Sequence, residues 1–306
     1  MHRNIQRLSE QLNSIIIGKE PQVKLAVVCL IAGGHLLIED LPGVGKTTLS
    51  HALAMSLGLK FTRVQFTSDL LPADITGISV FNRERQQFEF HPGPVFSQVL
   101  LADEINRATP KSQSALLEAM EEGQISADGV THRLPVPFFV IATQNPSHQL
   151  GTHPLPESQL DRFLMRISLG YPDKQAERAL LKGDDRRTLM NTLSTAMSLD
   201  AFLSLQQQVR TIFVSDKLVD YILTLAAATR HSGLFAEGMS PRASLALVQA
   251  ARAWALTEGR DHALPEDVQA VFIPVIAHRL RTATTSQGRT ETSATLLRKI
   301  LQETAV

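Results

Sequence analysis

Ten residues near the start of the chain, Glu39-Asp40-Leu41-Pro42-Gly43-Val44-Gly45-Lys46-Thr47-Thr48, have the types and spacing to bind a phosphate chain. Glycines at 43 and 45 let the backbone curl with its N–H groups turned inward. Lys46 can reach terminal phosphates, and the Thr47 hydroxyl can sit on Mg²⁺. The apolar run Leu36-Leu37-Ile38 precedes the stretch, and an alternating pattern, Leu49, Ala52, Leu53 and Leu57, follows it. Strand, glycine loop and helix in that order are the context a phosphate loop requires. The positive end of the helix dipole, near Lys46, adds to the attraction. The slot of the first glycine in the usual pattern holds Asp40, a residue that visits the left-handed backbone region more readily than most. A plain Gly-Lys turn before an ordinary helix is the alternative.

A second stretch, Gln98 to Glu104, is an apolar run closed by two carboxylates. Such runs are strands buried on both faces of a parallel sheet, and ligands bind outside their carboxyl ends. Asp103 is then a candidate to hold Mg²⁺ through water, and Glu104 to polarise an attacking water. Alone, the pair would read as a solvated loop start; beside the Lys46 loop it reads as catalytic. Pro137 to Thr143 forms another strand, ending at Gln144-Asn145-Pro146. An amide there can orient water against a γ-phosphate, so Asn145 is a candidate sensor, with an ordinary Asn-Pro turn as the rival. Asp161-Arg162 is either a surface ion pair or an arginine placed to reach a neighbouring subunit's nucleotide. Ser240-Pro241-Arg242 opens a helix with a good cap. A cation in a first turn opposes the helix dipole, a penalty that a ligand phosphate would reverse. The apolar elbow Ile16-Ile17-Gly18-Lys19 offers Ile17 and Gly18 to an adenine, or is a plain turn between helices.

The elements that must position these groups follow from periodicity. Helices are predicted over 5–15 and 21–31, and a strand over Lys60 to Phe66. Asp69 to Gly77 reads as a short helix plus loop, and Ile78 to Phe90 as a hairpin with a charged tip at Asn82 to Gln86. Thr109-Pro110 caps a helix that runs to Glu122. Asp128-Gly129 sits at the middle of a second hairpin, Gln124 to Leu134. Leu155 to Phe163 contains a short helix leading to a last strand, Met165 to Leu169. Strand signals stop at Tyr171-Pro172-Asp173. Helices are predicted after that over Lys174 to Lys182, Leu199 to Val209, Asp216 to Arg230, Pro241 to Glu258 and Pro265 to Leu280, with Trp254 in the core. Thr282 to Thr295 reads as a mobile linker before a final helix, Leu296 to Gln302.

Thirty Lys and Arg balance thirty Asp and Glu, so overall charge gives no support for a nucleic-acid partner. Cys29 is the single cysteine and sits in an apolar run. That excludes an internal disulfide and a cysteine zinc site and suits a reducing cytosol. The start lacks a signal-peptide apolar block. The most hydrophobic window, Leu25 to Ile38, is broken by Gly33-Gly34-His35 and falls short of the roughly 18 apolar residues of a membrane span. A soluble, cytoplasmic protein without a membrane span is the expectation.

With these stretches assembled, the chain resembles the MoxR family of AAA+ ATPases over nearly its whole length. The resemblance rests on Glu39 to Thr48, Leu101 to Arg107, Ser114 to Met120, Ala142 to Pro146, Leu155 to Phe163 and Met239 to Ala243. It implies an α/β fold: an AAA+ αβα nucleotide-binding domain with a parallel sheet over 1–171, and a C-terminal all-α lid over 172–306. The hairpins near 77–91 and 124–135 look like the inserts shared with magnesium chelatase and replicative helicase subunits, and a flexible segment falls near 282–295. It further implies ATP/ADP and Mg²⁺, Lys46 and Thr47 as Walker A, and Asp103 and Glu104 as Walker B. Asn145 becomes the first sensor, Arg162 the trans-acting arginine finger and Arg242 the lid sensor. Asp40 fits, since MoxR-like chains often lack the leading glycine, whereas His153 stands where an aromatic is expected. The implied partners are a homo-oligomeric ring, usually hexameric, a von Willebrand factor A (VWA) domain protein and a client protein complex. A remodelling chaperone for cofactor insertion is the leading function. A nucleic-acid motor or loader is the alternative, lowered by the absence of any recognition motif.

Overall fold

The computed structural model describes residues 2–145, 152–182, 189–190, 193–283 and 291–305. Helices α1 (His2–Ile15) and α2 (Glu20–Ile31) lead into β1 (His35–Glu39), the phosphate-loop stretch and α3 (Lys46–Ser56). Then come β2 (Phe61–Gln65), α4 (Pro72–Thr76), a hairpin of β3 (Gly77–Asn82) and β4 (Gln87–Pro92), β5 (Val99–Asp103) and α5 (Pro110–Glu122). A second hairpin, β6 (Gln124–Ala127) and β7 (Val130–Arg133), precedes β8 (Phe139–Gln144), α6 (Glu157–Leu160) and β9 (Phe163–Ile167). The rest is helical: α7 (Lys174–Lys182), α8 (Leu199–Thr211), α9 (Asp216–His231), α10 (Pro241–Thr257), α11 (Pro265–Ile276) and α12 (Ser293–Glu303).

Strands β2-β5-β8-β1-β9, in that order, form a parallel sheet. Alternation along β1, β5 and β8 divides their side chains between two cores, because successive residues point to opposite faces. Leu36, Ile38, Val99, Leu101 and Ile141 join one core with α1, α2, α3 and the lid helices. Leu37, Leu100, Ala102, Val140 and Ala142 join the other with α5. The first core contains residues of the sheet and of the C-terminal helices alike, so those helices pack on the sheet by apolar contact. Cys29 lies fully buried in it.

Several details depart from the sequence reading, among them the start of α12 at Ser293, inside the expected linker and ahead of the expected Leu296. Trp254 is half-buried at the core margin, where the Lys24 ammonium lies 4.0 Å over its ring and covers the open face. The last strand starts at Phe163, two residues early. Helix α11 stops at Ile276, four residues short of the expectation, because His278 and Arg279 turn toward the carbonyl of Phe163. Residues 284–290 of the expected linker, and Pro146, lie outside the described residues. No helix among the described residues is long and apolar enough to cross a membrane.

Candidate functional site

At the carboxyl ends of β1, β5 and β8, three adjacent strands, the charged motifs converge. Gly43 and Gly45 have φ of +83° and +97°, values that L side chains adopt rarely, so the loop curls here as its glycines predict. A Cβ built on either would meet no atom within 4 Å, which leaves an open cradle. Gly45 opens α3, whose first residue, Lys46, is buried with its ammonium turned back over the loop. Nζ donates to the Asp40 carbonyl at 2.6 Å and to Asn145 Oδ1 at 3.1 Å. Burial lowers the Lys46 pKa, and the charges of Asp40, Asp103 and Glu104 oppose that shift.

Asn145 passes the contact on, donating Nδ2 to Glu104 Oε1 at 3.0 Å. Glu104 stands at φ +56°, a left-handed position that costs energy for a residue with a side chain. Its backbone N–H donates to the Thr143 hydroxyl at 2.8 Å, and its Oε2 accepts from Gln65 at 2.8 Å and pairs with Arg107 at 3.0 Å. Asp103 is also engaged at both oxygens. Oδ1 accepts from the Thr143 hydroxyl at 2.6 Å, and Oδ2 pairs with Arg63 Nη2 at 2.6 Å. Among the described residues no group of three or more His, Cys, Asp or Glu is arranged to hold a metal. Magnesium, however, is commonly held by one or two protein oxygens together with substrate phosphates, a demand that Thr47 and Asp103 beside an open cradle can meet.

Asp40 requires a correction. It does not occupy the left-handed region among the described positive-φ residues. Its carboxylate is buried and works as a tether: Oδ1 accepts from its neighbour Leu41 N at 2.8 Å, and Oδ2 accepts from Gly170 N at 2.6 Å and the Ser168 hydroxyl at 3.0 Å. The loop is thereby fastened to the chain that leaves β9 for the lid.

Beside the loop, Ile15, Ile16, Ile17, Val44, Thr48 and Leu180 line much of an apolar cavity of about 230 Å³. Gly18 is outside that lining; a Cβ on it would come 2.7 Å from that of Ala176, so it permits close packing with α7. Pro42 is exposed and Thr47 half-buried in the first turn of α3.

Arg162 and Arg242 stand elsewhere. Arg162 immediately precedes β9, which runs parallel to β1, and His35 at the start of β1 is in register with Phe163. The phosphate loop leaves the other end of β1, about 13 Å away along the strand at ~3.3 Å per residue. At this opposite edge Arg162 Nε lies 2.6 Å from Glu121 Oε2, and Arg242 Nη2 lies 3.0 Å from Glu121 Oε1. Arg242 Nε lies 3.3 Å from Asp161 Oδ2, and Asp161 also pairs with Arg279. Burial pushes the Glu121 carboxyl up, but the hydrogen bond and charge of Arg242, with the charge of Arg162, outweigh it and hold the group below the usual carboxylate value. These arginines and His35, Met120 and Leu164 border a pocket of about 310 Å³.

The structure therefore brings Lys46, Asp103, Glu104 and Asn145 together, groups Arg162 with Arg242, and separates the two sets. The motifs had not singled out Arg63, Gln65, Glu121 or Arg279, and Asp161, read as a possible partner of Arg162, pairs instead with Arg242 and Arg279. Arg63 and Gln65 had a signal, being two apart on a strand and so on one face. Glu121 and Arg279 had none, since only the packing of distant helices brings them to Arg162.

Comparison with known proteins identifies the family of the chain. Residues 35–165 match the model of an "ATPase family associated with various cellular activities (AAA)", and residues 227–300 match an AAA lid domain. The chaperone MoxR1 of Mycobacterium tuberculosis is 42% identical over 287 residues, 90% of this chain and 75% of that protein. The protein MoxR of Paracoccus denitrificans is 33% identical over 306 aligned positions, 91% of this chain and 89% of that one. The crystal structure of a candidate ATPase from Cytophaga hutchinsonii superposes with a TM-score of 0.89 at 34% identity, covering 99% of this chain and 95% of that one. With a five-stranded parallel sheet, a helical AAA lid and relatives of this similarity across most of its length, the chain belongs to the MoxR family of AAA+ ATPases.

Proposed function

We propose that the chain hydrolyses ATP to ADP and phosphate at the loop edge of the sheet, and that the arginine edge of one subunit completes the site of the next. The observation that carries this reading is the bonded series Lys46–Asn145–Glu104, which links a phosphate-binding ammonium to a carboxylate able to polarise water. Gly43 to Thr48 cradle the phosphates with backbone N–H groups, and Lys46 exchanges its two protein acceptors for phosphate oxygens. Ile17 and Val44 pack the base in the apolar cavity. Asn145 orients the attacking water, and Glu104 accepts its proton. Thr47 and Asp103 would hold magnesium, which when bound would supply neutralisation of the phosphate charge.

Arg162, just before β9, and Arg242, on α10, stand at the edge of the sheet opposite their own loop. A second copy in a closed, head-to-tail ring would present both to the neighbouring nucleotide. A hexamer is the ring size we propose. The output we favour is chaperone-like remodelling of a client protein complex, in maturation or cofactor insertion, with a VWA-domain partner. A relative that bears the name chaperone supports it.

The test is Glu104→Gln. Nucleotide binding and assembly should persist while turnover stops; a large loss of affinity would instead make Glu104 a binding residue. Stimulation of turnover by a VWA-domain protein would support the partner, and capture of a client by Glu104→Gln in the ATP state would support remodelling. One observation favours a second reading. Phe88 and Phe81 are 72% and 44% exposed on the first hairpin, beside the tip that carries Arg83. Exposed aromatics next to basic groups can stack on single-stranded bases. Salt-sensitive stimulation by DNA would favour that motor.

A further inference from the structure

The arginine edge contains a charged side chain that the scheme above leaves without a task. Arg279 lies in the turn after α11, and its side chain is only 5% exposed. Its guanidinium crosses from the lid to grip both chain neighbours of Arg162. One nitrogen pairs with Asp161 Oδ1, and Nη2 donates to the Phe163 carbonyl at 2.9 Å. His278, also buried, places Nε2 3.0 Å from the same carbonyl, so that nitrogen carries the proton it donates. The guanidinium of Arg162 is held by Glu121 and the Ser158 carbonyl, groups of its own sheet domain. Its flanks, by contrast, are held by the lid.

Burying a guanidinium is costly, and the pair that results is weak evidence for stability. The lid does not depend on it for attachment. Val268, Val271, Phe272, Val275 and Ile276 of α11 already lie in the core shared with the sheet. What Arg279 adds is direction. A planar fork spanning an acceptor on residue 161 and another on residue 163 resists rotation of the backbone between them. Arg242, whose Nε faces Asp161, comes from the same lid, so both arginines of this edge are referred to one body.

We propose that Arg279 is a positioning residue for the neighbour-directed arginine: clamped on Asp161 and Phe163, it makes the lid of a subunit set the aim of the Arg162 that this subunit presents to the next. The clamp rests on the reading of Arg162 as acting in trans. It couples adjacent sites through one physical connection. A lid that shifts with the nucleotide in its own subunit changes the arginine delivered to the neighbour, and hence the neighbour's turnover.

Mixed assemblies test this. Subunits with Glu104→Gln keep an arginine to donate but cannot hydrolyse, while subunits with Arg162→Ala keep a hydrolytic site but lack the arginine. Mixed together, they should recover ATP turnover wherever the first kind donates to the second. Arg279→Lys, which keeps the charge and loses the fork, is then added to one kind at a time. On the donor it should cut the recovered turnover by up to about a hundredfold, the scale of a misplacement of an ångström. On the acceptor it should leave recovery unchanged. Equal loss on both kinds would reduce Arg279 to a structural ion pair and overturn the proposal, as would no loss on either. Failure of the parent pair to complement would remove the trans reading itself, and the clamp with it.

Discussion

The two ends of the parallel sheet are both rich in charge, but they are organised by different means. At the loop edge, the charged groups are fixed by neighbouring strands of the sheet and by the chain that leaves it. Asp103 and Glu104 close β5, Thr143 on the adjacent strand bonds both of them, and Asp40 is held by backbone N–H groups. At the arginine edge, the groups come from the end of α5, the α6–β9 junction, the start of α10 and the turn after α11, and they hold one another. The loop edge is therefore set once the sheet forms. The arginine edge is set only when the lid docks, which makes it the part of the molecule that a lid movement can retune.

Substitutions can break that contrast. The largest effect should come from Arg162→Ala, with turnover in the assembled protein falling by ~10³–10⁵. A nucleotide titration should find the affinity of the loop little altered; a large loss of binding would make Arg162 a binding residue rather than one that acts on turnover. Next is Asp161→Asn, which leaves the Arg279 guanidinium buried without its counter-charge. Breaking a buried pair in this way costs about 3–5 kcal/mol, readable by denaturant unfolding. Glu121→Gln, among more exposed partners, should cost about 1 kcal/mol or less. Equal costs would mean that burial does not rank these pairs.

At the loop edge, Asp40→Gly restores the common glycine pattern yet should destabilise. Three donors, on Leu41, Ser168 and Gly170, lose their acceptor, at a cost on the order of 3 kcal/mol. A neutral outcome in thermal unfolding would show that the tether is dispensable.

Acid should separate the edges as well. His35 accepts from Val140 N at 3.0 Å and faces the Met120 carbonyl, and burial pushes its pKa down to about 4. Burial and the charge of Arg279 also hold His278 well below its ordinary value. Between the ordinary imidazole value of 6.5 and about 4, the unfolded chain binds protons that folded His35 refuses. Stability should consequently fall as pH drops through that window, before the Glu121 pairs, whose carboxyl is held below its ordinary 4.5, begin to protonate. A denaturant midpoint that did not change with pH, or that His35→Gln failed to flatten, would contradict this assignment. The smallest effect is Lys24→Ala. It removes a cation over Trp254, worth about 0.5–1 kcal/mol at an exposed site, and should change the emission of the chain's single tryptophan.

Local patterns carried much of the architecture. Period-2 alternation, the Thr109-Pro110 cap and Asp128-Gly129 act within a few residues, and the corresponding strands, helix and hairpin stand where those signals lie. The gathering of Lys46, Asp103, Glu104 and Asn145 was legible for the same reason, since residues at the ends of adjacent parallel strands must meet. Spacing placed Trp254 on the core side of its helix, but not how deep it lies: it packs against the core margin, half-buried under Lys24.

By itself, then, the sequence determined the glycine loop between strand and helix, the acidic strand end and the division into sheet and helical parts, because each follows from local periodicity and turn chemistry. Only the tertiary structure decided that Asp40 is a tether, that Asp103 is paired with Arg63, and that Arg162 and Arg242 share an edge opposite the loop. Those facts depend on which distant segments the apolar cores press together, and a charged side chain finds its partner only after that packing is complete.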